Sequence, residues 1–182
     1  MSVRIRLAET ARSEALKCFH GFVMTAESNL APIIAPFPRW TLQEADGLWC
    51  AAFVYYCCRL AGFSFPIRPI EGLSCNLAGC LAWEEWAQKD PQLEYHLPDD
   101  PSFRPEAGDI VLFDNVFVPA EHDHIGVVLE NREASLLTAE GNVCNLSAVL
   151  ERRKDCHIRA YIRISNHFSP KYPAKSRNIC NF

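Results

Sequence analysis

The chain predicts an α+β protein, with helices packed on an antiparallel β-sheet meander. Two features carry that expectation. Up to about residue 90, apolar residues recur at helical spacing or fill whole helical segments; beyond residue 105 they gather in short Val-, Ile- and Leu-rich runs. Helices first and strands second is an α+β order, unlike the alternation of parallel α/β units. The 182 residues suit one well-packed domain spanning 1–182 and are short for two.

From about Arg6 to the neighbourhood of Glu27, Leu7, Ala11, Ala15, Phe19, Phe22 and Val23 fall near one helical stripe, with Pro32 marking its end or its connector. Pro32, Pro36 and Pro38 then punctuate a linker. Residues Ala51–Ala61 are apolar almost all round and stop at Gly62, the pattern of a buried helix. Leu77–Gln88 predicts a helix carrying Trp83 and Trp86, suited to core packing or to the wall of a groove. Asp109–Phe113, Ile125–Glu130, Ser135–Glu140 and Ile158–Ile164 predict strands. The tail after Ser165 reads as an irregular appendage.

The formal charge of −4 argues against a generic nucleic-acid or anionic-membrane surface. Arg152-Arg153-Lys154 accordingly reads as solvated surface. No apolar run reaches membrane-spanning length, and Glu9, Arg12, Glu14 and Lys17 interrupt the stretch where a secretory signal would be clean. Nine scattered cysteines cannot all pair and fit a reducing compartment, so synthesis and first residence in the cytoplasm are expected. The oligomeric state is left open. There is no C-x-x-C, and Cys57 and Cys58 lie within an apolar helix, which argues against structural zinc on Cys57/Cys58, Cys75/Cys80, His122 and His124. No cofactor is expected.

Three segments could carry chemistry. In Gly47-Leu48-Trp49-Cys50-Ala51-Ala52, the cysteine opens a buried helix, where unpaired N–H groups and the helix dipole favour thiolate over thiol. The same N–H groups could hold an oxyanion. Taken alone, this segment favours the plainer reading of Cys50 as a small core residue. In Asp123-His124-Ile125-Gly126-Val127-Val128, His124 opens a strand and shares a face with Gly126, which leaves room for another chain or a substrate. In Glu140-Gly141-Asn142, Glu140 and Asn142 share a face. A hairpin with a three-residue loop at 131–133 sets Glu130 opposite Ala134 and hence His124 opposite Glu140, bringing a base and an orienting carboxylate together. Trp49, beside Cys50, is expected to border a cleft and contact substrate. Pro105–Phe113 reads as structural: Gly108 for a turn, then a central strand.

In order and interval, Trp-Cys-Ala-Ala-Phe-Val (49–54), Ala-Gly-Asp-Ile-Val-Leu-Phe (107–113), Asp-His-Ile-Gly-Val-Val (123–128) and Glu-Gly-Asn (140–142) resemble the CHAP family of amidohydrolases and peptidases. The resemblance covers about Trp40–Ile164. It implies a papain-like fold, amide hydrolysis in peptidoglycan, and a catalytic set in which Cys50, His124 and Glu140 act with help from Asn142. Some family members bind calcium just before the nucleophile; the spacing of Glu44 and Asp46 is unlike those loops, so no metal is expected. The N-terminal helix, the tail and much of 63–101 lie outside the resemblance. The implied partner is peptidoglycan or a peptide, cut by an amidase or an endopeptidase through a thioester. Phage lysis or a secretion apparatus would bring enzyme and wall together. Two alternatives stay open: a same-fold hydrolase acting on an intracellular peptide or acyl substrate, and a non-catalytic binding module.

Overall fold

The computed structural model describes residues 1–23 and 26–169; the expected tail lies mostly outside them. Five helices, α1 (Val3–Ala15), α2 (Ala31–Ile34), α3 (Leu42–Ala45), α4 (Cys50–Leu60) and α5 (Cys80–Lys89), precede six strands, β1 (Leu93–His96), β2 (Ile110–Phe113), β3 (His124–Asn131), β4 (Ser135–Val143), β5 (Leu146–Arg153) and β6 (Ile158–Ile164). The fold is α+β, as the sequence predicts. The strands form one antiparallel sheet in the order β1-β6-β2-β3-β4-β5. The meander therefore covers only β2 to β5, and β6 returns across it to pair with β2.

The first helix is much shorter than the apolar stripe suggests. Ser2 caps it, accepting from the Ile5 N–H, and it ends at Ala15. Cys18 then takes a left-handed conformation (φ 55°). Phe19 leaves the helix to pair with β5: its N–H donates to Ser147 Oγ (2.9 Å), and the Ser147 N–H donates to its carbonyl (2.7 Å). Phe19 is buried by strand-like pairing, a partner that helical spacing cannot reveal. Pro32 likewise sits in the first turn of α2 and starts a helix, since proline lacks an N–H that the first turn leaves unpaired anyway.

Trp83 and Trp86 on α5 are fully buried, their indoles donating to the Leu77 carbonyl and Asp90 respectively. They are core. At the turn before β2, Gly108 has φ 89°, and a Cβ there would run into the Arg4 backbone. The buried Asp109 carboxylate beside it holds Arg4 (3.0 Å) and Arg163 (2.7 and 2.9 Å).

α1 and α4 cover one face of β3 and β4, in a core that includes Phe53, Val54, Ile125, Val127 and Ala139. The opposite face carries a smaller cluster around Val111, Phe113, Val128 and Leu136. The close approach of α4 to β4 depends on Gly141, where a Cβ would lie 2.5 Å from Phe53 Cβ and 2.7 Å from Trp49 Cζ3. Neither neighbour is a flexible tip. Gly141→Ala should therefore destabilise the protein by about 2 kcal/mol and lower Tm by roughly 4–8 °C in a thermal melt; an unchanged Tm would show that the helix can move away freely.

Candidate active site

The loop before α4 sets the position of Cys50. Thr41 and Glu44 form a capping box at α3, with the Glu44 N–H donating to Thr41 Oγ1 (3.2 Å) and the Thr41 N–H to Glu44 Oε2 (2.9 Å). Glu44 is thus engaged in a helix cap. Gly47 turns the chain with φ 70°. Its carbonyl accepts from Asn142 Nδ2 (2.7 Å), and its N–H donates to Asn145 Oδ1 (3.2 Å). Asn145 also accepts from the Trp49 indole (2.9 Å) and donates to Asp46 (2.7 Å). The tip of the β4–β5 hairpin therefore clamps the loop that presents Cys50.

Alternation along β3 puts His124, Gly126 and Val128 on the sheet face away from α4. His124 is the first residue of its strand, so its ring lies at the sheet's end, within reach of the start of α4. Glu140 pairs with Gly126 rather than with His124, two residues from the predicted register: the hairpin sets Glu130 opposite Leu137, three residues beyond Ala134, and the bulge in β3 between Val128 and Glu130 takes one back. A two-residue shift keeps the face, and the side chains still meet: His124 Nε2 donates to Glu140 Oε2 at 2.7 Å. The space left by Gly126 is filled by Glu140 itself, whose Cγ lies 2.7 Å from where a Cβ would stand.

Glu140 is completely buried and fully bonded. Arg152 donates through Nε to Oε1 (2.9 Å) and through Nη2 to Oε2 (2.6 Å), a two-pronged grip suited to a carboxylate. Thr138 Oγ1 adds a second bond to Oε1 (2.6 Å). Burial pushes the Glu140 carboxyl up, but the bonds and charges of Arg152 and His124 outweigh it and hold its pKa near 2. The rings of Phe113 and Phe117 flank both Arg152 and His124 and shield the group from water.

With Nε2 engaged by Glu140, His124 lines the same cleft as Cys50, and each acts electrostatically on the other. Burial drives His124 down; the bonds to Cys50 and Glu140, with their charges, reverse this and raise it to about 9. A bond from Cys80 is the largest effect on Cys50. Burial opposes it, and His124 and the Ala51 N–H add to it, bringing Cys50 down to about 5. Between these two values the pair is a thiolate beside an imidazolium, the combination that makes a sulfur nucleophile with a ready proton donor. A cleft of about 500 Å³ opens over it, bordered by Leu48, Gly79, Phe117, His122 and Asn142.

Cys50, His124 and Glu140 thus come together as the sequence reading expects. Asn142 (φ 63°) borders the cleft, but its amide bonds the Gly47 carbonyl and so acts on the loop of Cys50. Trp49 has no exposed surface: it packs against Phe53 and Gly141 and offers a substrate nothing to touch, a correction to its expected place beside the cleft. Arg152 is not the solvated surface charge that the sequence suggests but grips Glu140, and Cys80, weighed in the sequence only as a zinc ligand, touches Cys50. Arg152 could have been found by carrying the alternation into β5, where Ala148, Leu150 and Arg152 lie opposite Glu140, Thr138 and Leu136. His122, considered as a zinc ligand, is bonded to Glu84. Among the described residues, Asp155, Cys156 and His157 bring three metal-ligating groups close together in the exposed turn between β5 and β6, and none of them borders the cleft over Cys50.

The comparison with known families agrees with this geometry. A family model described as CHAP domain matches residues 43–142, which include Cys50, His124, Glu140 and Asn142. No curated protein and no solved structure matches the chain.

Proposed function

The chain belongs to the CHAP family, a family of amidases and peptidases, and from that premise we propose that it cleaves amide bonds of peptidoglycan through a Cys50 thioester. The observation that carries this reading is the placement of Cys50 and His124 on one cleft, with His124 bonded to the buried Glu140 carboxylate (2.7 Å); the lowered Cys50 and raised His124 pKa values support it. The thiolate attacks the amide carbonyl. Backbone N–H groups at the start of α4 receive the oxyanion, and the His124 imidazolium protonates the leaving amine. Neutral His124 then takes a proton from water, which hydrolyses the thioester. Glu140 holds the ring in orientation and supports its charge, and Arg152 holds Glu140.

Digestion of purified sacculi tests this. Cys50→Ala should release fragments at least about 10³-fold more slowly than the native protein, and mass spectrometry of the native products should separate amidase from endopeptidase cleavage. Undiminished release by Cys50→Ala would sink the assignment.

A further inference from the structure

Cys80 shares the cleft with Cys50, and no bond to it forms or breaks in the acyl transfer described above. Its Sγ lies 3.7 Å from Cys50 Sγ, in contact with it. Each cysteine is the first residue of its helix, so the starts of α4 and α5 converge on one point. The two thiols differ in state. The neighbouring Cys50 sulfur and burial keep Cys80 protonated, while Cys50 is ionised at neutral pH. Cys57 and Cys58, by contrast, are buried within α4, have raised pKa values and do not border the cleft.

We propose that Cys50 and Cys80 form an oxidative modification site, which a small hydroperoxide entering the cleft converts into a disulfide and a dithiol restores. The Cys50 thiolate attacks one peroxide oxygen; an S–O bond forms, the O–O bond breaks, and the departing alkoxide or hydroxide takes the His124 proton. Cys80 then attacks the sulfur of the Cys50 sulfenic acid. The S–S bond forms, and the hydroxyl leaves as water with the Cys80 proton. Two thiols lose two electrons, and the peroxide becomes an alcohol (or water) plus water. A disulfide is about 2 Å long, so the sulfurs must close by about 1.7 Å from their present separation of 3.7 Å. The bond consumes the nucleophile and so silences the hydrolase reversibly.

The proposal takes from the proposed function only the ionised state of Cys50, and its test does not need wall cleavage. The full chain is treated with hydrogen peroxide at neutral pH, blocked with iodoacetamide and mapped by mass spectrometry. A Cys50–Cys80 linked peptide is expected, with loss of Cys50 labelling that dithiothreitol fully restores. Cys80→Ser keeps a donor beside the thiolate but removes the second sulfur. Its Cys50 should still label when reduced, then pass under peroxide to a sulfinic acid that dithiothreitol does not reverse. Native Cys50 that is oxidised without a link to Cys80 would overturn the proposal, as would full recovery by Cys80→Ser; the native map decides even if the variant folds poorly. Protein that forms the link but leaves sacculi intact would refute the wall-hydrolase reading alone, and protein that cuts sacculi but never links would refute this one alone.

Discussion

Glu140→Gln should lower stability by about 3 kcal/mol at neutral pH, a fall in Tm of roughly 6–12 °C, and reduce hydrolysis by about 10²–10⁴-fold. The substitution keeps the volume and removes the charge. Arg152 loses the carboxylate that its fork grips, and the His124 imidazolium loses its buried counter-charge. The pH dependence follows from the lowered Glu140 pKa. A carboxyl held near 2 when folded, against an ordinary 4.5, contributes stability that is fully present above 4.5 and is lost as pH falls toward 2. Native protein and variant should therefore differ by about 3 kcal/mol at pH 7 and converge across that acidic window. Denaturant melts at several pH values measure the difference directly, and a gap that persists unchanged into strong acid would contradict the assigned charge.

His124→Ala should act on chemistry more than on the fold. Hydrolysis is expected to drop by about 10³–10⁴-fold, because both the proton donor for the leaving amine and the acceptor for the attacking water are lost. The variant also tests the ionic state of Cys50. Without the imidazolium and its bond, burial pulls the thiol back toward the ordinary range, opposed by Cys80. Iodoacetamide labelling of Cys50 at pH 6 should then slow by roughly ten- to a hundredfold, with its pH midpoint moved to the alkaline side. In the native protein, hydrolysis should form a plateau with limbs near pH 5 and pH 9, the values assigned to Cys50 and His124. Labelling that is indifferent to His124 would mean that the pair does not share a proton.

The helix of Cys50 and the strand of His124 were legible because each rests on a local pattern: an apolar segment closed by Gly62, and a strict alternation around Gly126. The shared face of His124 and Glu140 survived an error in register because the turn displaced the pairing by three residues and the bulge near Leu129 took one back, leaving an even shift of two. What remained hidden depends on contacts between distant segments. Arg152 looks like one of three surface cations until β5 is paired with β4, and Cys80 looks like packing until the starts of α4 and α5 converge. The overlong first helix has the same origin, since Phe19 finds its partner in Ser147, far along the chain. Trp49 shows the reverse: its neighbour in sequence is reactive, yet its own ring points into the core.

The turn at Cys144-Asn145 joins β4 to β5 with two residues at positive φ (49° and 66°), between a paired Val143 and Leu146. Exposed two-residue hairpin tips are ordinarily where lengthening, tagging or circular permutation does least harm. Here the tip grips the segment ahead of the reactive sulfur through Asn142 and Asn145, while the same strand delivers Glu140 to His124. Length variation among relatives of this chain should therefore collect elsewhere, at surface turns such as 97–105, and a reporter spliced into this hairpin would disable the protein without unfolding it.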